Sequence, residues 1–302
     1  MEAFLVSVII AATPFLFAGM GELVAERSGV LNLGVEGMML MGAVVAFATS
    51  YAAGSTPLAV LAGAGAGVLM ALVFAFVSLS LLANQPATGL ALTIFGIGAS
   101  GLVGQAFVGQ ALAPLAKLSL PVVSETGLGR ILLHHDALVY LALANAAAVA
   151  WFLSRTRAGL SLRAVGDNHH SGHALGLPVI AIRYAAVLYG GAMAGLGGAY
   201  LSLAYTPMWG ENMTAGRGWI AVALVVFATW RPLRLVAGAY LFAIVTQLQF
   251  YGQDWGLAVP SQFLAMAPYL ATVIALVVIS RDVSLTKANA PACIGRPFRP
   301  ER

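Results

Sequence analysis

Hydrophobic residues follow one another along most of this chain in long runs, without alternation between apolar and polar positions. Gly, Pro, Asn and Gln divide the runs into nine segments, and most have the roughly 17–25 residues that a helix needs to cross a bilayer. The segments cover residues 3–20, 33–53, 57–83, 89–113, 137–153, 184–205, 218–230, 235–250 and 262–280. Continuous apolar runs exclude a membrane β-barrel, whose strands alternate. The pattern predicts an all-α polytopic membrane bundle of about 8–10 helices, some broken or re-entrant.

Small residues recur in two of these segments at spacings that bring helix backbones together in a membrane. They are Gly63, Gly65 and Gly67 in the third segment, and Gly191, Gly195 and Ala199 in the sixth. They predict a compact bundle, although they say nothing about its function.

The composition supports a membrane protein. Of the 302 residues, 60% are hydrophobic and 9% are charged, whereas soluble domains carry about 25% charged residues. Residues 37–116 contain no charged side chain. The single cysteine, Cys293, excludes an internal disulfide and is expected to be an ordinary free thiol.

The distribution of cations predicts the orientation. Eleven of the 15 Lys and Arg residues lie within 154–183, within 231–234 or after residue 280. Counting crossings places these regions on one side, provided that the short run 218–230 crosses, and the positive-inside rule makes that side cytoplasmic. The C-terminus is therefore expected in the cytoplasm. Nine crossings would leave Met1 outside, whereas an extra or re-entrant pass near 20–36 would leave it inside, and the sequence leaves both open.

Polar residues interrupt the apolar runs most clearly at residues 21–43. Glu22, Glu26, Arg27 and Glu36 lie here, and a charge at membrane depth is costly unless it is paired or faces water. One interpretation is a broken helix lining a pathway, with Glu26 and Arg27 compensating each other. The other is a short surface loop, followed by a helix whose first turn holds Glu36.

A second polar stretch covers residues 205–219. Tyr205, Trp209 and Trp219 fit an interfacial aromatic belt, and they could equally stack on an entering ring. Arg217 lies between two glycines, and we favour a structural role for it within the protein.

A short helix is predicted at about 168–175. Asp167 or Asn168 would be its N-cap, Gly176 follows its end and Pro178 comes next. A helix this short is unstable alone, so it either docks against a partner or belongs to a solvated connector.

Several chemical functions lack the residues that they need. His169, His170 and His173 have no acidic or thiol ligand that would complete a metal site. The similar cluster of His134, His135 and Asp136 is not expected to bind a metal either. Ser284 and Lys287 match S-x-x-K, which is too short to be informative. No phosphate-binding loop and no converging catalytic set occurs in the sequence. We therefore predict no catalytic residue, no metal and no cofactor, and any ATP hydrolysis would require another chain.

Five blocks of sequence resemble the permease subunits of bacterial ABC importers of the branched-chain amino acid/ribose class. They are GELVAERSGVLNLGVEGMMLMGA (21–43), NQPATGLALTIFGIGASG (84–101), the 156–177 segment with GGAMAGLGGAYLSL (190–203), NMTAGRGWIAVALVVFATWRP (212–232) and MAPYL (266–270). The blocks are most similar to the nucleoside and simple-sugar branch, which is served by a basic-membrane-lipoprotein type of binding protein.

The resemblance implies a permease in the bacterial inner membrane that forms half of a translocation pathway for nucleosides. Its partners would be a second homologous permease, a cytoplasmic ABC ATPase and an extracytoplasmic substrate-binding lipoprotein. One permease domain would cover residues 1–282, with a coupling loop at about 154–183 and a cytoplasmic polar tail at 283–302. The cycle would be alternating access, driven by ATPase closure.

The resemblance also assigns roles to residues. The expected coupling residues are Arg163, Gly166, Asp167, Asn168, Ala174 and Gly176. Nucleosides need hydrogen-bond partners and apolar or aromatic faces, and the expected pathway residues are Asn32, Glu36, Asn84, Gln85, Thr88, Gln105 and Trp209. The chain departs from the family in carrying histidines after Asn168, which would make docking sensitive to charge between about pH 6 and 7.

Other functions remain open. A permease for a ribose-like sugar or an amino acid would have the same fold. An ion-coupled secondary transporter needs buried ionisable residues, and the charge-free stretch at 37–116 argues against it. A membrane-embedded enzyme would need the catalytic set that is absent from the sequence.

Overall fold

The computed structural model describes residues 2–118, 129, 131, 133–254, 263, 266–267, 270–271, 273–274, 277 and 289–299. The helices are α1 (Glu2–Arg27), α2 (Val35–Ala53), α3 (Thr56–Ala75), α4 (Gln85–Gly104), α5 (Ala137–Arg155), α6 (Arg157–Asp167), α7 (His169–Ala174), α8 (Val179–Tyr200), α9 (Arg217–Phe227) and α10 (Pro232–Asp254). Helices α3 and α8 end in π turns, Phe76–Ser80 and Leu201–Tyr205, and α4 ends in the 3-10 turn Gln105–Phe107. Two short strands, β1 (Lys117–Leu118) and β2 (His135–Asp136), pair antiparallel.

The predicted fold class is confirmed. Within the described residues, seven helices are long and apolar enough to span a membrane, and α9 is a shorter apolar helix of 11 residues. These eight helices correspond to the first eight predicted segments. The ninth, 262–280, lies largely outside the described residues, as do Ser284 and Lys287.

Helix α1 continues without a break through residues 21–27, and its last residue meets the 154–183 loop. A Cβ added to Gly166 would lie 2.1 Å from the carbonyl oxygen of Arg27, so the two backbones are in direct contact. The Glu2 end of α1 therefore lies at the opposite end of the bundle from this loop. This is the end at which the nine-segment interpretation places the start of α1, whereas most of the ninth segment, 262–280, lies outside the described residues.

Residues 28–34 turn back into the bundle. The amide of Asn32 donates to Glu22, which lies more than a turn before the end of α1. Helix α2 then starts beside the first turn of α9, where Glu36 binds the amide of Gly218, whereas Trp230 beyond the other end of α9 binds Glu26. Eleven helical residues span about 16 Å. Residues 28–34 therefore run back into the bundle for most of the length of α9 before α2 begins.

Helix α8 packs against α1, α2 and α3, and glycines let the backbones touch. A Cβ added to Gly191, Gly195 or Gly198 would lie within 2.5 Å of a carbonyl oxygen of α3 or α2. On α3, a Cβ at Gly67 would lie 2.0 Å from the oxygen of Gly191. The prediction that these small residues mediate helix packing is confirmed, except at Gly65, which no other described residue approaches within 4 Å.

This contact predicts that Gly67→Ala destabilises the bundle, because α3 must move away from α8 to admit one methyl group. Overpacking of this kind costs about 1–3 kcal/mol. The measurement is thermal unfolding of the purified protein in detergent. Gly65→Ala is the matched control in the same helix, and equal melting temperatures for the two variants would contradict the packing.

Candidate functional site

The short helix predicted at 168–175 is confirmed as α7. Its N-cap is Asn168, whose Oδ1 accepts a hydrogen bond from the amide of Ser171 at 3.0 Å. Gly176 adopts a φ of 81°, in the left-handed region that glycine tolerates. The amides of Gly176 and Leu177 donate back to His173 and Gly172, which closes the helix.

Helix α7 presents an apolar side chain at its C-terminal end. Leu175 is 82% exposed, and Ala174 and Gly176 beside it are also exposed. Asp167 and Asn168 are exposed at the other end, whereas Arg163 is half-buried and Gly166 is buried against Arg27. The predicted coupling residues therefore lie in the second half of α6 and at the two ends of α7. A projecting apolar residue such as Leu175 is suited to dock into a protein groove.

His169 fixes the base of α7. Its side chain is buried, and its Nδ1 lies 2.9 Å from Nη2 of Arg183 on α8. Because an arginine can only donate, this nitrogen accepts the bond. Burial, together with the neighbouring Arg183 guanidinium, lowers the pKa of His169 to about 4. The expected charge change between pH 6 and 7 therefore does not occur at His169, which stays neutral in that range.

Glu26 and Arg27 do not bond to each other; both bind the chain just beyond α9. Glu26 accepts a hydrogen bond from the indole Nε1 of Trp230 at 2.5 Å. Arg27 donates from Nε and Nη2 to the carbonyl of Trp230, and from Nη1 to that of Asn289. The two charged residues thus anchor other segments to the end of α1.

Two predicted pathway residues, Asn32 and Gln85, hold the 28–34 turn. The Oδ1 of Asn32 accepts from the amide of Gly34 at 2.9 Å, and Oε1 of Gln85 accepts from the amide of Leu31 at 2.9 Å. Both side chains are buried. The side-chain oxygens of Asn32 and Gln85 therefore stabilise the turn.

Glu36 lies in the first turn of α2, as the second interpretation expected, but it is buried and caps the start of α9. Its carboxylate accepts hydrogen bonds from the hydroxyl of Thr214 and from the amides of Gly216 and Gly218, at 2.5, 2.8 and 2.6 Å. A helix N-terminus has unpaired amides and favours an anion. Arg217 beside it donates to carbonyls of the same turn and stacks over Tyr205.

The remaining predicted pathway residues lie at the two ends of α4, about 30 Å apart for a 20-residue helix. At its start, Asn84 is the exposed N-cap and Thr88 is half-buried. Gln105 is exposed just after its end. Trp209 is buried near that end, and its indole lies against Gly104. The seven residues therefore do not form a single site.

A cavity of about 450 Å³ lies at the Gln105 end of α4. It is lined by Ile97, Gly98, Gly101, Leu102, Gln105, Glu211 and Asn212. Among the described residues, nothing lies within 4 Å of where a Cβ would stand on Gly98 or Gly101, so the described part of the chain leaves this face of α4 open. The sequence interpretation did not select Glu211 or Asn212, although both are polar residues in the 205–219 stretch.

The sequence model of a family described as "Branched-chain amino acid transport system / permease component" matches residues 4–280. The chain belongs to this permease family. The family assignment agrees with the helical fold and confirms the resemblance that the sequence blocks indicated.

Three relatives match the permease over most of their length. It is 40% identical over 294 residues to "Putative glucose ABC transporter permease protein TsgC13" of Haloferax volcanii, with 88% of each chain covered. It is 32% identical to the nucleoside ABC transporter permease protein NupC of Lactococcus lactis, covering 98% of the permease and 96% of the relative. It is 29% identical to the guanosine ABC transporter permease protein NupQ of Bacillus subtilis, covering 96% and 94%.

These matches make the chain a permease subunit of an ABC transporter, a multi-pass membrane component of transport.

The three bonds of Glu36 predict that Glu36→Gln destabilises the permease, because an amide NH₂ would face the amides at the start of α9. Loss of a bond to a charged group costs about 1.5–3 kcal/mol. The measurement is thermal unfolding in detergent. The control is Glu211→Gln, which makes the same change at an exposed acidic residue in the segment before α9. An unchanged melting temperature together with impaired uptake would instead assign Glu36 to the pathway.

Proposed function

We propose that this permease forms half of the translocation pathway of an ABC importer in the cell membrane and is driven by a separate cytoplasmic ATPase. The observation that carries the proposal is the capped helix α7, which projects an exposed Leu175 from the loop richest in arginine. The positive-inside rule puts this loop and the C-terminus in the cytoplasm, where the ATPase binds.

The ATPase contacts α7 through its exposed face. An apolar side chain in a protein groove contributes through the burial of its surface, so Leu175 is the main contact. Asn168 and Gly176 hold the helix in shape, whereas Asp167 and Ala174 border the contact. Closure of the ATPase on ATP would bind one arrangement of the loop better than the other, which is the condition for coupling.

Docking through α7 predicts that Leu175→Glu releases the ATPase, because a carboxylate would have to enter an apolar groove. We expect the copurified ATPase to fall at least tenfold while the amount of permease in the membrane is unchanged. Leu233→Glu is the control: Leu233 is 77% exposed in the first turn of α10, where an acidic residue is favourable. Full ATPase binding by Leu175→Glu would contradict the docking surface.

A second homologous permease covers the open face of α4. This face carries exposed apolar residues, including Ile94, Phe95 and Leu102, beside the two glycines that no other part of the described chain approaches. Small residues at an uncovered helix face permit close approach of another helix. The second permease would close the cavity, with the exposed Gln105 and Glu211 facing the pathway between the two chains. Asn84 and Thr88 would lie near its cytoplasmic exit.

Nucleosides are the proposed substrate, delivered by an extracytoplasmic binding lipoprotein. The cavity combines the apolar side chains of Ile97 and Leu102 with the carboxamides of Gln105 and Asn212 and the carboxylate of Glu211. Such a set can contact the faces of a base and bond to the hydroxyls of a ribose. The two nucleoside permease relatives support this choice over nearly the whole chain.

A sugar is the second candidate substrate. It is favoured by the 40% identity to the Haloferax volcanii relative, and the polar residues of the cavity would also suit sugar hydroxyls.

Uptake of labelled uridine and guanosine by cells that carry the complete transporter distinguishes the two. We expect excess unlabelled nucleosides to compete and excess glucose or ribose not to compete. Competition by sugars alone would assign the transporter to the second candidate.

The cavity itself is tested by Gln105→Ala and Glu211→Gln, which remove hydrogen-bonding groups from its wall. We expect each to raise the KM for uptake about tenfold, since one lost bond of this kind is worth about 1–3 kcal/mol. Gln110→Ala, at an exposed position outside the cavity, is the control. Unchanged KM values would place the substrate elsewhere.

A further inference from the structure

Residues 289–299, in the predicted polar tail, pack against the 154–183 loop. The amide of Cys293 donates to the carbonyl of Gly166 at 2.9 Å, and the amide of Gly295 donates to that of Gly29 at 3.1 Å. Ala290 and Ile294 pack against the apolar cluster at the end of α1. This segment therefore joins α6 to the turn that follows α1.

Arg183 connects the segment to three other parts of the chain. Its side chain is 1% exposed and donates to the carbonyl of Ser28 at 3.2 Å, to that of Arg296 at 3.1 Å and to His169 at 2.9 Å. These partners belong to the turn after α1, the C-terminal segment and α7. One guanidinium from α8 thus holds all three, and a buried charge requires such partners.

Phe298 closes the contact on the side of α7. It is buried with Val165 and Val179, and its ring lies 5.1–5.6 Å from the rings of three α7 histidines. Those rings belong to His169, His170 and His173. All three histidines of α7 are therefore in contact with this single side chain.

We propose that residues 289–299, together with Arg183 and His169, form a clasp that makes α7 and the cytoplasmic ends of α1 and α8 move as one body. The proposal rests on the proposed function, since it assigns to these residues the transmission of ATPase closure. Arg183 and Phe298 are positioning residues that touch neither substrate nor ATP.

A clasp is needed because α7 has only six residues, and a helix this short has little stability of its own. Movement applied at Leu175 could otherwise be absorbed by the connections on either side of α7. Through the clasp the displacement reaches α8, whose glycines contact the backbones of α2 and α3. Transport then follows ATP hydrolysis with little slippage.

Cys293 supplies a native probe of the clasp. It is the single cysteine of the chain, is 7% exposed, and its Sγ lies 3.5 Å from the carbonyl oxygen of Asp167. In the wild-type transporter we expect a maleimide to alkylate it slowly, at rates within twofold of each other, without nucleotide and after trapping with ATP and vanadate. A rate at least tenfold higher in either state would show that the segment releases during the cycle, which overturns the proposal.

Phe298→Ala tests transmission directly in the complete transporter, reconstituted in liposomes. We expect alkylation of Cys293 to rise at least fivefold and ATP hydrolysis to stay within twofold of wild type. Substrate accumulated per ATP should fall at least fivefold. Phe298→Leu, which keeps an apolar side chain, should restore the ratio, and Phe250→Ala, at an exposed phenylalanine of α10, is the control.

Two results with Phe298→Ala would overturn the clasp: Cys293 that stays protected, or Cys293 that becomes reactive with an unchanged ratio of transport to hydrolysis. If the Phe298→Ala protein is not produced in the membrane, the alkylation rates of wild-type Cys293 still test the clasp. A wild-type complex without ATP-dependent uptake would contradict the proposed function, whereas a fully coupled Phe298→Ala complex would contradict the clasp alone.

Discussion

The direct contact between the backbone of α8 and those of its neighbours is the constraint on which the rest of the structure depends. Glycines on α8 face carbonyl oxygens of α2 and α3 with no room for a side chain, as at Gly191 and Gly198. Lipid offers little hydrophobic drive for helix association, so close van der Waals packing has to stabilise the contact between helices. Because these helices touch along their backbones, the proposed clasp would pass a movement at the start of α8 to the bundle.

Buried polar groups complete this framework by tying distant segments together. Glu36 fixes the start of α9 and Glu26 fixes the residue beyond its end, so this short helix is held at both ends by α1 and α2. Arg183 performs the same task at the base of α7. Each group is costly to bury and bonds to partners far away in sequence, which makes these bonds specific for one arrangement of the helices.

The sequence predicted what depends on local physics. The lengths of the apolar runs predicted the membrane-spanning helices. The N-cap at Asn168 and the glycine at 176 predicted the bounds of α7 nearly to the residue. Long-range partners were beyond reach, because nothing in the sequence connects Glu36 to Gly218, or Phe298 to the histidines of α7. The same limit applies to the cavity, where Gln105 was selected from the resemblance and its neighbours across the wall were not.

We propose that this permease is driven by a separate ATPase through α7. The most direct test is accumulation of labelled nucleoside in sealed proteoliposomes, with ATP on the cytoplasmic side. We expect uphill accumulation from the permease pair with its ATPase and binding protein, and none when the ATPase is omitted under a proton or sodium gradient. Uphill accumulation without the ATPase would contradict the account and indicate an ion-coupled transporter.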